Sequence, residues 1–167
     1  GSFKITNSYI GIEKIYLDTK ERKEFATQSH EYLIKQTQYS LNNNITQNTI
    51  SKTFNLIFNH PVIELIFVVQ TKSKFIKNAD KGIDYFNFSK TDNHPFSETI
   101  KTAKILLNGQ ERTPDMTAKE LRFFQPIQYH TSIPNNYIYT YSFSLNPEDY
   151  QPSGSCNFSR FDSKQLQ

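Results

Sequence analysis

Residues 137–145, Tyr137-Ile138-Tyr139-Thr140-Tyr141-Ser142-Phe143-Ser144-Leu145, alternate cleanly. Tyr137, Tyr139, Tyr141, Phe143 and Leu145 fall on one face, and Ile138, Thr140, Ser142 and Ser144 on the other. A period of two is the signature of a strand packed on one side of a sheet. Asn146-Pro147-Glu148-Asp149 breaks the run, Pro152-Ser153-Gly154 makes a further turn, and alternation resumes from Cys156 to Phe161. Upstream, Val62–Val69 (VIELIFVV) is the most apolar stretch, set off from Phe54–Phe58 by Asn59-His60-Pro61. Glu64 inside it suits a strand with one apolar and one partly wet face, because a fully buried carboxylate would need a partner.

Other elements follow from the same patterns. Ile100–Leu107 runs into Asn108-Gly109, a strong two-residue hairpin signal, and Pro114 keeps the partner strand from Gln110 short. Tyr9–Leu17 and Glu31–Tyr39 also read as strands. Asp18 is a helix cap with Glu21 as its capping-box partner, which starts a short helix through Ala26. A second helix is expected over 117–124, stopped by Gln125-Pro126. The expectation is therefore antiparallel strands near 9–17, 32–39, 62–69, 102–107, 137–145 and 156–161, with helices near 20–26 and 117–124. Short strands, polar loops at 42–51 and 71–80, and helices confined to connections describe an all-β antiparallel sandwich or barrel. No βαβ unit is present, which excludes the dinucleotide-binding folds.

Composition agrees. The 167 residues are one domain's worth of chain, with 14 Phe, 10 Tyr and no Trp. Aromatic and branched side chains pack best on pleated sheets. Apolar runs of only a few residues rule out a membrane-spanning helix, and mean hydropathy is −0.64. No basic region followed by an apolar stretch marks a signal peptide, and Gly1-Ser2 reads as a tag-cleavage scar. A net charge of +3, with basic residues scattered, is too weak for a nucleic-acid interface.

Chemistry-bearing constellations are scarce. His30, His60, His94 and His130 show no metal-ligand spacing, and Cys156 is the single cysteine. Ser153-Gly154-Ser155-Cys156 lacks a nucleophile elbow and reads as a turn entering a strand, with Cys156 a small buried hydrophobe. Glu148-Asp149 reads as turn residues. The tyrosine stripe has no basic groove beside it, so it is a packing face rather than a base-stacking platform. Sequons stand at Asn44, Asn87 and Asn157. These readings leave no catalytic residue, no cofactor and no metal site.

Several longer motifs carry a resemblance. Tyr16-Leu17-Asp18-Thr19 runs into Glu21-Arg22-Lys23-Glu24-Phe25-Ala26 and Ser29-His30-Glu31-Tyr32-Leu33-Ile34. Phe58-Asn59-His60-Pro61-Val62 follows, then Leu107-Asn108-Gly109-Gln110-Glu111-Arg112, then Gln125-Pro126 with Tyr129-His130. The longest motif runs from Leu145-Asn146-Pro147-Glu148-Asp149-Tyr150-Gln151-Pro152 through Ser153-Gly154-Ser155-Cys156-Asn157-Phe158-Ser159-Arg160. In this order they resemble the major capsid proteins of large eukaryotic double-stranded DNA viruses. The resemblance implies a double jelly roll whose trimers form pseudo-hexagonal capsomers of an icosahedral shell. It implies that 3–31 hold the last strand of a first roll and the connecting helix. Residues 32–167 would then be the second roll, an antiparallel jelly-roll sandwich lacking the family's last strands. Partners would be other copies of the capsid protein and minor capsid proteins, with no direct nucleic-acid contact. The setting would be a virion assembled in the host cytoplasm. The residues expected to carry the architecture are Asp18, Glu21, Arg22, Phe25, His30, Glu31, Asn59, His60, Pro61, Asn108, Gly109, Asn146, Pro147, Gln151, Pro152, Gly154, Cys156, Asn157 and Arg160. The rival from another class is a jelly-roll carbohydrate- or ligand-binding module, with Tyr85 and Phe86 near Asp84 as its nearest approach to a site.

Overall fold

The computed structural model describes residues 4, 6–40, 44–46, 48–74, 85–90 and 97–167. The 71–80 loop beyond residue 74, and Asp84 and His94, therefore lie outside the described residues. The chain forms two compact units, Gly1–Thr37 and Gln38–Gln167.

In the first unit, helix α1 spans Thr19–Thr27. The Asp18 carboxylate accepts a hydrogen bond from the Glu21 amide at 2.8 Å, so the cap expected from sequence forms. The helix buries no side chain. Residues 9–17 form no strand, and neither do 32–39 at the junction of the two units. Alternation records which faces could pack; a strand also needs a neighbour to hydrogen-bond, and none of the described residues supplies one.

Among its described residues the second unit holds ten short strands: β1 Phe54–Asn55, β2 Pro61–Val62, β3 Glu64–Phe67, β4 Thr102–Ala103, β5 Ile105–Leu107, β6 Gln110–Glu111, β7 Met116–Thr117, β8 Tyr139–Ser142, β9 Cys156–Asn157 and β10 Lys164–Leu166. Every pairing is antiparallel. One sheet runs β1-β10-β5-β6, and three two-stranded ladders pair β2 with β9, β3 with β8, and β4 with β7. The β5–β6 connection is the expected hairpin. Asn108 at φ +51° and Gly109 at φ +77° give the two left-handed residues that such a tight turn requires.

The ladder β3–β8 lays Leu65 opposite Tyr141 and Phe67 opposite Tyr139. These four side chains pack against Ile105, Leu107 and Leu166 of the larger sheet, with Phe158 closing one end and Ala118 and Leu121 the other. Two sheets facing across this layer make a sandwich. Tyr139 and Phe158 are fully buried. The other face of β8 is covered as well. Thr140 donates to the Leu121 carbonyl, and the Ser142 amide donates to the Gln125 side chain.

The covering helix departs from expectation. Rather than stopping at Gln125-Pro126, it continues from a π-helical turn, Glu120–Phe124, into α2, Gln125–Tyr129. The Gln125 amide bonds back to Glu120, five residues earlier. A widened turn relieves the clash between a proline ring and the carbonyl four residues before it, and Pro126 near the start of α2 has no amide to satisfy. Strand β10, beyond the alternation that ends at Phe161, was not anticipated. Its Lys164-Gln165-Leu166 has no extended alternation to announce it.

Candidate functional site

Two polar clusters stand behind the β3–β8 ladder. In the first, the Arg122 guanidinium meets Glu98 through Nη2 at 2.8 Å and Nε at 3.0 Å. It lies 4.2 Å from the Phe123 ring centroid and 4.4 Å from that of Tyr137. The Tyr139 hydroxyl donates to the second Glu98 oxygen at 2.9 Å and accepts from the Thr99 amide at 3.2 Å. Burial, foremost, pushes the Tyr139 phenol up from its usual range. Both carboxylate oxygens are engaged, so the cluster is a closed brace between the 97–100 segment, the helix and β8. It offers no open position to a substrate. A crevice between Phe67, Ala103, Ile105, Met116 and Leu121 is too narrow to admit water.

In the second cluster, His130 caps the C-terminus of α2 and stands between two carboxylates. Its Nε2 is 3.3 Å from Glu64 of β3, and its Nδ1 is 3.3 Å from Glu148 in the turn after β8. Glu148 also accepts from the Thr131 amide, at 3.2 and 3.1 Å to its two oxygens. Hydrogen bonds from Thr131, and then the His130 ring, hold the Glu148 carboxyl below the usual carboxylate range. His130 thus faces the Glu64 carboxylate, although neither Glu64 Oε2 nor His130 Nε2 makes a hydrogen bond among the described residues. Nothing in the spacing of residues 64, 130 and 148 marks this cluster in the sequence.

The motif residues gather mainly at turns. Asn59 exchanges two hydrogen bonds with the Gln38 side chain, at 2.7 and 3.0 Å. His60, at φ +67°, donates its amide to Ser159 Oγ, and Pro61 pairs with Asn157. The Asn108 side chain accepts from the Ser163 amide at 3.0 Å, tying the hairpin to the approach of β10. The Asn146 amide donates to Ser153 Oγ at 2.8 Å, and Ser153 reaches Ser144 Oγ at 2.6 Å. Pro147 is buried beneath this turn, while Gln151 and Pro152 are exposed. Gly154 has φ +128°, and a Cβ there would stand 3.2 Å from the Phe143 carbonyl oxygen. Asn157 caps the Phe158–Arg160 turn.

In the first unit, Phe25 stacks on His30 at 4.7 Å and His30 on Tyr32 at 6.2 Å. Arg22 closes the first turn of α1 through its amide, and Glu31 is exposed. Two side chains differ from expectation. Cys156 is half-buried rather than buried, its thiol pushed up chiefly by desolvation. Arg160 is exposed and bonds to no described residue. Among the described residues no three His, Cys, Asp or Glu are arranged to hold a metal ion.

The family of large eukaryotic DNA virus major capsid proteins matches residues 21–167. The chain belongs to that family. It is 34% identical to the major capsid protein of Pyramimonas orientalis virus, over 93% of this chain and 39% of the relative. Against the major capsid protein of Paramecium bursaria Chlorella virus 1 the identity is 33%, over 94% of this chain and 40% of the relative. Among solved structures, a chain of the PBCV-1 virus capsid superimposes with a TM-score of 0.75 at 32% identity, covering 90% of this chain and 41% of that one. The fold is therefore the jelly roll of these capsid proteins. The chain spans about two-fifths of the length of the curated relatives it matches.

Proposed function

We propose that the chain is the second jelly-roll portion of a major capsid protein. Residues 32–167 form that roll, with the unit from Gln38 as its body, and 3–31 carry the last segment of the preceding roll and the connection. Three copies of the whole protein make a pseudo-hexagonal capsomer, which tiles an icosahedral shell in the virion and is assembled in the host cytoplasm. The observation that carries this reading is the superposition on the PBCV-1 capsid chain over nine-tenths of the residues.

The physical character of the unit supports a building block. Its polar clusters are closed braces between elements, and its turns are cross-tied by side chains. Large apolar side chains remain on the surface: Ile57, Ile66, Phe124, Ile127, Leu145 and Tyr150 are exposed. Such exposure favours contact with other protein surfaces. The partners are other copies of the capsid protein and, at capsomer boundaries, minor capsid proteins. A charge of +3 gives no electrostatic reason for direct contact with nucleic acid. The role is structural, without catalysis or cofactor.

Sedimentation velocity across the micromolar range, with intact mass measured in parallel, tests the reading. Concentration-dependent association well above the 19.6 kDa chain mass is expected. A monodisperse monomer with cooperative unfolding throughout that range would overturn it.

A further inference from the structure

We propose that Asn108-Gly109 is a deamidation site whose chemistry is gated by the docking of β10. It is the single Asn-Gly pair in the sequence. Both residues are exposed, so water reaches them. A glycine after asparagine leaves the intervening peptide nitrogen unhindered, because it carries no Cβ. In an open chain the Gly109 nitrogen can attack the side-chain carbonyl carbon of Asn108. The new N–Cγ bond closes a succinimide ring, the Gly109 nitrogen gives up its proton, and the side-chain nitrogen leaves as ammonia. Water then opens the ring. Cleavage of the N–Cγ bond gives aspartate, and cleavage of the bond from that nitrogen to the main-chain carbonyl carbon gives isoaspartate. Water is the one co-reactant, and nothing is oxidised or reduced.

The folded hairpin withholds the attacking geometry. The Asn108 side-chain oxygen accepts from the Ser163 amide at 3.0 Å, and the Asn108 amide donates to the Ser163 carbonyl at 2.7 Å. These two bonds clamp residue 108, backbone and side chain together, to the residue that leads into β10. The left-handed backbone at both turn positions is held in addition by the pairing of Leu107 with Gln110. Ring closure requires the side-chain carbonyl carbon to swing onto the nitrogen of the next residue. That swing breaks the bond to Ser163 and takes the peptide out of its hairpin conformation. Displacement from the reactive arrangement on this scale is worth about a hundredfold in rate.

The gate belongs to β10 because Ser163 reaches the turn only when Lys164 pairs with Leu107. Before that, the turn is free to cyclise. The two products differ in effect. Aspartate at position 108 keeps the backbone and still offers an oxygen to the Ser163 amide. Isoaspartate adds a methylene to the backbone of a two-residue turn, which displaces Gln110 and Glu111 from their register opposite Leu107 and Leu106. It also removes the side-chain half of the clamp. A chain left open too long is thereby marked and loses the contact that seats β10, so the site limits how long the sandwich can wait to close.

Peptide mapping by mass spectrometry of the full chain, incubated in mildly alkaline buffer with and without denaturing urea, tests this. The one-dalton gain at Asn108 is expected to accumulate about tenfold or more slowly in the folded chain than in urea. Below the unfolding transition, its rate should rise in step with hydrogen exchange at the Ser163 amide, a comparison that needs no variant. Isoaspartyl chains recovered from urea should refold without protection at Lys164–Leu166, whereas Asn108→Asp should refold with it. Equal rates in folded and unfolded chains, a rate indifferent to Ser163 exchange, or isoaspartyl chains with a protected β10 would overturn the proposal.

Discussion

At the scale of single residues, the motif that made the family recognisable divides into positions that shape the backbone and positions that face outward. Gly154 belongs to the first kind. At φ +128°, with the Phe143 carbonyl 3.2 Å from where a Cβ would sit, Gly154→Ala is expected to lower unfolding stability by about 1–3 kcal/mol. Chemical denaturation of the variant checks this. Arg160 belongs to the second kind, being exposed and unpaired among the described residues. Arg160→Ala should shift stability by no more than about 0.5 kcal/mol. Any larger effect should appear as weakened association in sedimentation. The sequence made the turn at Gly154 legible, because Pro, Ser and Gly cluster there. It could not show that the Arg160 fork would go unused, since that depends on what the fold brings near it.

At the scale of elements, local chemistry succeeded where the signal was local. Asp18 capping α1 and Asn108-Gly109 closing β5 onto β6 each depend on residues within a few positions. Tyr9–Leu17 had the right alternation and still forms no strand, because pairing is decided by distant partners. The helix running through Pro126 shows the converse, a local stop signal absorbed by a widened turn that no propensity announces. That helix is braced to the 97–100 segment by Arg122 and Glu98, with side chains 8% and 18% exposed. Arg122→Ala leaves the Glu98 carboxylate without its cation. It is expected to cost about 3 kcal/mol, read from the denaturation midpoint. Of the polar clusters, only the need of Glu64 for a partner was foreseeable. His130 and Glu148 reach it from elements separated by the whole of β8.

At the scale of the whole chain, stability is concentrated where the two sheets face each other. Hydrogen exchange should be slowest at the amides of Leu65–Phe67, Ile105–Leu107 and Lys164–Leu166. It should be fast throughout α1, whose nine residues bury nothing and are too few to hold a helix firmly alone. Comparable protection in α1 and β5, measured by mass spectrometry, would contradict that distribution. The sheet order β1-β10-β5-β6 has a consequence in time as well as in space. Asn55 and Gln165 lie side by side although 110 residues separate them. A ribosome delivers β1 and β5 long before β10, and until then each waits with an open hydrogen-bonding edge on the side that β10 will fill. Assembly of this sheet thus waits for β10 and is slow by topology. Until β10 emerges, the nascent chain is a sandwich held ajar, for which chaperones, or neighbouring nascent chains of the same kind, are natural company.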